Sequence, residues 1–294
     1  MVNQYILNKE FWEGKTVLGI GFTGSMGRAM TKELLTLGIK SLRVFSRDEY
    51  KQYRMREDFN DGRLRWILGD IADYDILNLA MREVDIVINA AANKDVLTCE
   101  RQPIPTLKTN VIGNMNLMRC AIANEVERVL FVSTDKATDP KNYYGASKLM
   151  AEKLILTGNT LRGGLKTRFG VSRCGNLWAS RRSAIETWDR VYPKGEAFRV
   201  TDPDMTRFFI SIERAARFEL WAVENITGEE NSVPIIPEIF SCKLSEILDK
   251  RYPTANIEVV GIQQGEKMHE KMAEGYSSDM EEYQVSYEEL LKCL

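Results

Sequence analysis

The chain has 294 residues, 44% hydrophobic and 28% charged, enough for a large core in one big α/β domain or a domain with a lobe. Lys and Arg number 40 against 42 Asp and Glu, so no basic excess points to nucleic acid. A single histidine, His269, excludes a site with two His ligands and disfavours a Ser-His-Asp hydrolase, and Cys99, Cys120, Cys174, Cys242 and Cys293 lack CxxC spacing, so no disulfide framework or metal site is expected.

No apolar run approaches the roughly 18 residues of a membrane helix. The opening MVNQYILNKEFWEGK lacks the basic start, apolar middle and small-residue cleavage site of a signal peptide. A cytoplasmic protein with no membrane partner is expected.

From Thr16 onward, β-rich runs alternate with helical patterns: TVLGIGF, RAMTKELLTLG, LRVFS and a polar helical stretch, LRWILGD, ADYDILNLAMR. The series continues with DIVINAAA, a helix near TLKTNVIGNMNLMRCAIANE, RVLFVST, a helix near YYGASKLMAEKLILTG, and TRFGVSRCGN. This alternation predicts an α/β fold, a Rossmann doubly wound parallel sheet, over residues 1–176. Beyond it the rhythm loosens into ISIERAARFELWAVEN, SVPIIPEIF, KLSEILDKRY, IEVVGI and an acidic amphipathic end expected to be a docked or frayed helix. Residues 177–294 are expected to form mainly a smaller substrate-binding lobe, some of whose segments return to the sheet.

Gly21, Gly24 and Gly27 in GFTGSMG follow the first predicted strand and open the first predicted helix. Glycines there allow a tight turn and close backbone approach, and the helix N-terminus favours a dinucleotide pyrophosphate. The second strand ends in Ser46-Arg47-Asp48, where an NAD site places an acid for the ribose 2′-hydroxyl and an NADP site an arginine for the 2′-phosphate. A strand ending at Ser46 favours NADP over NAD; an end one residue later would bring Asp48 into play and reverse the preference. Asp70 after the third strand suits the adenine amino group, or equally a turn or helix cap.

Tyr144 and Lys148 stand four apart on one helical face, separated by nine residues from Ser133-Thr134. A lysine charge lowers a phenol's pKa, so tyrosinate can take a hydroxyl proton while hydride leaves the same carbon for nicotinamide. Asp135 and Lys136 beside Thr134 read either as an acid and base for further chemistry or as a solvent-facing ion pair of little energetic value. Asp139, beside Pro140, reads as a turn former. His269 is expected near a helix start without a catalytic partner, and Met115, Met118 and Met150 on core-type helical faces.

Taken together, GFTGSMG, FSRDEYKQY, AAANK, STDKATDP, YYGASK, RCGN, TDPDMTRF and GEKMHE resemble the extended short-chain dehydrogenase/reductases, and within them the C5-inverting 4,6-dehydratases acting on UDP-N-acetylglucosamine. The resemblance spans about residues 15 to 272. It implies a catalytic set of Thr134, Asp135, Lys136, Tyr144 and Lys148, with Tyr144 the base at the C4 hydroxyl, Lys136 the base at C5 and Asp135 the acid for the C6 hydroxyl. It implies a cofactor site of Gly21, Thr23, Gly24, Ser25, Met26, Gly27, Ser46, Arg47, Asp70, Ile71, Ala90, Ala91, Ala92, Lys94, Asn110, Tyr144 and Lys148. Substrate contacts are implied for Lys94, Thr134, Asn176, Arg181, Arg207 and Glu266, Asn176 and Arg207 toward the diphosphate and Glu266 toward the uridine ribose. A homo-oligomer is implied, paired through the helices ending near Asn124 and starting near Tyr144.

The chain departs from the family pattern at several places. Phe22 stands where a glycine is usual, Asn89 and Asn93 where His and Leu are, Cys174 where tyrosine is, and WASRRS, with bulky Trp178 and Arg182, where GSRGS is. Other readings are a nucleotide-sugar 4-epimerase, a dehydratase that does not invert C5 or acts at C5-C6, or an inactive NADP-binding regulatory protein. Lys136 discriminates among the enzymes, because an epimerase has no use for it.

Overall fold

The computed structural model describes residues 5–180, 183–263 and 265–294. Six parallel strands form the central sheet: β1 (Thr16–Ile20), β2 (Ser41–Ser46), β3 (Leu64–Leu68), β4 (Ile86–Asn89), β5 (Arg128–Thr134) and β6 (Arg168–Cys174), in the order β3-β2-β1-β4-β5-β6. Every residue of β1 and β4 is buried, as expected of continuous apolar strands with both faces covered. Alternation along β1 sends Val17 to one core with Ile86 and Ile88, and Leu18 and Ile20 to the other with Val87, Leu117 and Ile155. Chain order reverses between β1 and β4, and ligands of such sheets bind at the strand carboxyl ends beside that switch.

The first core is closed by the helix Ile212–Glu224, which contributes Ala216, Phe218, Leu220, Ala222 and Val223. This segment returns from beyond residue 176 to cover the sheet. The rest of the later chain carries β7 (Asn176–Leu177), β8 (Phe198–Val200), β9 (Thr206–Ile210), β10 (Phe240–Lys243) and β11 (Ile257–Val259), with sheets β10-β9-β7 and β11-β8. Its own core gathers Ile185, Trp188, Phe198, Ile247 and Tyr252. The terminal helix Tyr287–Cys293 docks there through fully buried Leu290, its start fixed by a capping box of Ser286 and Glu289.

Three local expectations are corrected. The helix expected across 106–125 is interrupted by a π-helical turn at Lys108–Ile112 between Pro103–Leu107 and Gly113–Ala123. The wider turn carries Asn110, whose fully buried carboxamide bonds Asn93 and Ser147. His269 starts no helix; it pairs as extended backbone with Thr206, and its Nδ1 lies 2.8 Å from Thr206 Oγ1. Met118 is buried, but Met150 is 53% exposed on the outer face of the helix Tyr143–Leu161. Among the described residues, no helix is long and apolar enough to cross a membrane.

Candidate active site

The loop after β1 is shaped by its glycines. Gly21 has φ of +77°, and a Cβ there would lie 2.7 Å from the Ala91 nitrogen, so the turn rests directly on the Ala90–Ala92 segment. A Cβ at Gly27 would overlap the Phe22 backbone, which fixes how closely the helix Ser25–Leu34 can approach the strand end. Gly24 is its N-cap and supplies no side-chain cap, leaving the first-turn amides for an anion. This uncapped, glycine-lined cradle fits a dinucleotide pyrophosphate. Phe22 does not obstruct it: the ring is fully buried in the space that Gly19 leaves beside it. Thr23 is buried within the loop, and Ser25 and Met26 are half-buried at the helix start.

Strand β2 ends at Ser46, whose hydroxyl accepts from Gln52 Nε2 at 3.1 Å. Asp48 is turned to helix duty: it caps Glu49–Asp58 by accepting from Lys51 N at 2.9 Å and pairs with Lys51 Nζ at 2.6 Å. Arg47 remains exposed at the strand end, its Nη1 3.5 Å from Asp70 Oδ2 and its Nη2 donating to Asn93 Oδ1 at 3.1 Å. Asp70 also accepts from Ala72 N, the turn role considered for it, and Ile71 is buried against Gly113.

The two unusual asparagines prove to be braces. Buried Asn89 accepts from Ala91 N at 2.9 Å and donates to Asn114 Oδ1, which in turn donates through Nδ2 to the Asn110 carbonyl. Asn93 N donates to Asn110 Oδ1, and Asn110 Nδ2 donates back to the Asn93 carbonyl. The Ala90–Asn93 segment is thereby held against the glycine loop, and exposed Lys94 follows it.

Across the switch point, Thr134, Asp135, Lys136 and Tyr144 come together at the end of β5. Thr134 Oγ1 donates to Asp135 Oδ1 at 2.8 Å and acts on the neighbouring Tyr144 phenol. Burial pushes that phenol up to about 12, while the Lys136 ammonium and Thr134 act to lower it and Asp135 to raise it. The charge assigned from sequence to Lys148 is thus supplied here by Lys136. Lys148 itself donates from Nζ to the Val132 carbonyl at 2.7 Å and lies 3.9 Å from the Phe131 ring centroid. Burial brings its pKa down to about 7, against the raising effect of Glu152 and Glu219.

Asp135 and Lys136 are not a solvent-facing pair. Asp135 is 1% exposed and Lys136 Nζ lies 3.2 Å from its Oδ1. Sequence reasoning missed the next two members: Glu270 Oε1 is 3.3 Å from Lys136 Nζ, and Lys267 Nζ is 3.2 Å from Glu270 Oε2. Burial raises Asp135, with Glu270 adding to the effect, although Lys136 and Thr134 oppose it. Burial also works against charge on Lys136 and Glu270, but there the neighbouring opposite charges win, raising Lys136 and lowering Glu270. Both missed residues belong to GEKMHE, so the signal was at hand; what the motif could not show is that it lies against β5.

The expected substrate residues line the adjoining segments. Asn176 Nδ2 donates to the Phe208 carbonyl. Arg207 donates to the carbonyls of Thr206, Lys267 and Met268, tying down the segment that carries Glu270, rather than standing free toward solvent. Glu266 is exposed. Arg181 and Arg182 lie outside the described residues, and Trp178 packs edge-on to Phe209 in the lobe. Buried Cys174 follows β6's inner face, and among the described residues no group of His, Cys, Asp or Glu is disposed to hold a metal.

The comparisons with known proteins agree with this geometry. A Campylobacter jejuni protein named UDP-N-acetylglucosamine 4,6-dehydratase (inverting) is 39% identical over 263 residues, 89% of this chain and 78% of its own length. A Rickettsia conorii protein named UDP-glucose 4-epimerase is 37% identical over 266 residues, 88% of this chain and 77% of its own. The crystal structure of Pen from Bacillus thuringiensis superposes with a TM-score of 0.84 at 34% identity, covering 89% of this chain and 83% of that one. With the family described as polysaccharide biosynthesis protein matching residues 17–290, and with a Rossmann sheet carrying its site at the switch point, the chain belongs to that family.

Proposed function

We propose that the protein is an NADP-dependent nucleotide-sugar 4,6-dehydratase that converts UDP-N-acetylglucosamine to a UDP-4-keto-6-deoxy-hexosamine with inversion at C5. The observation that carries this reading is the burial of Asp135, ion-paired to the half-buried Lys136, beside Thr134 and Tyr144. Oxidation and reduction at one carbon need only the phenol and its neighbours; a buried acid paired to an amine serves expulsion of water. NADP is favoured over NAD because β2 ends at Ser46 while Asp48 is engaged as a helix cap.

Nicotinamide held by the glycine loop would supply a reversible hydride acceptor between C4 and C6. Tyr144, aided by Thr134, receives the C4 hydroxyl proton; the resulting ketone acidifies C5–H. Lys136 takes the C5 proton as Asp135 protonates the departing C6 hydroxyl. A proton is then delivered to C5 from the opposite face. Two protons are taken up and two given back, so one water is lost and no net oxidation occurs. Lys94, Asn176, Arg207 and Glu266 bind the sugar nucleotide, mainly through residues 177–294, and Lys148 serves the cofactor. The protein works as a cytoplasmic homo-oligomer paired through the helices Gly113–Ala123 and Tyr143–Leu161.

Incubating the protein with UDP-N-acetylglucosamine in heavy water tests the assignment. Loss of water with deuterium at an inverted C5 is expected, and Lys136→Met is expected to stop deuterium entry. A 4-epimer formed without water loss would establish instead the epimerase reading, which the 37% identity to proteins named UDP-glucose 4-epimerase keeps in view.

A further inference from the structure

An acid and an ammonium side by side pose a chemical difficulty. Each stabilises the other's charged form, whereas elimination requires a protonated acid and a free amine. Were Asp135 the only partner of Lys136, the pair would rest in the unproductive state. The structure contains a second partner. Lys136 Nζ lies between two buried carboxylates, 3.2 Å from Asp135 Oδ1 and 3.3 Å from Glu270 Oε1. Glu270 is 3% exposed, and its other oxygen is 3.2 Å from Lys267 Nζ, which also donates to the Thr138 carbonyl at 2.7 Å.

The segment bearing Glu270 is fixed from several sides. Ser278 Oγ accepts from Glu270 N and Ser278 N donates to the Glu270 carbonyl, both at 2.8 Å. Arg207 holds the carbonyls of Lys267 and Met268, and Thr138 Oγ1 donates to the Met272 carbonyl at 3.0 Å. A carboxylate so anchored cannot follow the amine; the amine must stay with it.

We propose that Glu270 is a positioning residue for the elimination step: its fixed charge favours a proton on Asp135, where the departing hydroxyl needs it, and stabilises the ammonium that Lys136 becomes as it takes the C5 proton. The inference rests on the reading of Lys136 and Asp135 given above. Asp135 Oδ2 is buried without a hydrogen-bond partner, so no donor at that oxygen holds it in the charged form. The charged or titratable groups acting on Lys136 are Asp135, Glu270, Arg207 and Tyr144, with Lys267 acting on Glu270. Asp135, Lys136, Glu270 and Lys267 thus form a cluster balanced in charge, which a single neutral substitution unbalances in a known direction.

Glu270→Gln removes a negative charge, so the proton affinities of Asp135 and Lys136 both fall. Lys267→Met removes a positive charge, so both rise. The pH profile of water loss, followed by deuterium entry at C5, is expected to move acid-ward by about one unit or more in Glu270→Gln and alkaline-ward in Lys267→Met. C4 oxidation, followed separately as a single-turnover rise in reduced-nicotinamide absorbance, is expected to stay within a few-fold of the parent. Glu270→Asp is expected to restore most of the parent profile.

Unmoved profiles, or equal losses of oxidation and water loss in both variants, would overturn the proposal and leave Glu270 a structural ion-pair partner. Should Glu270→Gln not fold, the direction of the Lys267→Met shift decides alone. Lys136→Met separates the two levels of inference. If it still expels water, the role of Lys136 itself is wrong. If it does not, and the Glu270 and Lys267 profiles stay put, only the role of Glu270 is.

Discussion

The proposed preference for NADP rests on Arg47. Its guanidinium is exposed at the end of β2, steadied by Asn93 and loosely by Asp70, so a 2′-phosphate would meet an oriented fork. Hydrogen bonds between charged groups contribute about 1.5–3 kcal/mol. Arg47→Ala is therefore expected to weaken NADP binding by about tenfold or more while leaving NAD nearly unchanged. Titration of both dinucleotides by fluorescence or calorimetry checks this; equal losses would mean that Arg47 reads no phosphate. The residues legible in the sequence are those whose roles are local. Gly21, Gly24 and Gly27 shape one turn, Tyr144 and Lys148 share one helical face, and Asp135 and Lys136 adjoin. Glu270 and Asn89 were not legible in the same way, because each acts through a partner in a different segment. Nor could sequence show that Lys148 turns its ammonium to the Val132 carbonyl and leaves Lys136 to act on the phenol.

At the scale of elements, the helix Tyr143–Leu161 serves two surfaces. Its inner face carries Tyr144, Ser147, Lys148, Ala151, Glu152 and Ile155, all buried. Outward, Ala146, Met150, Lys153, Thr157 and Leu161 are exposed at spacings of three or four, a continuous ridge along the helix. A ridge with Met150 and Leu161 uncovered suits a second helix laid alongside, as the expected pairing of two copies requires. Met150→Glu would place a charge in such a seam, and is expected to convert a dimer into a monomer of 33.6 kDa in sedimentation, with the sheet intact by circular dichroism. A parent protein that is already monomeric would remove the proposal. Sequence periodicity put Met150 on a core face; helical spacing alone cannot distinguish a face buried within a subunit from one meeting its copy.

At the scale of the whole molecule, the returning helix Ile212–Glu224 brings an acid into the core. Glu219 is fully buried, accepts a hydrogen bond from Ser172, and has its Oε1 buried without one. Burial raises its pKa to about 8, against the lowering effects of Ser172 and Lys148. A carboxyl whose folded pKa lies above its unfolded value holds its proton more tightly when folded. Its contribution is present in full below the unfolded value of 4.5 and is lost as pH rises toward about 8. Glu219→Gln should therefore gain stability relative to the parent as pH rises from about 5 to about 8. Denaturant midpoints at the two pH values measure this, and a constant difference between the proteins would contradict it.

The strap that carries Glu270 has a consequence for how the protein becomes active. It reaches β5 and β6 only by long-range contacts: Thr138 to Met272, Arg173 to Met272, Thr138 to Lys267. Loop closure of that span comes late relative to the local βα units. On the proposed reading, a chain whose sheet has already formed would bind its cofactor through β1 and β2 and yet lack the counter-ion of Lys136 until the Glu270 segment docks.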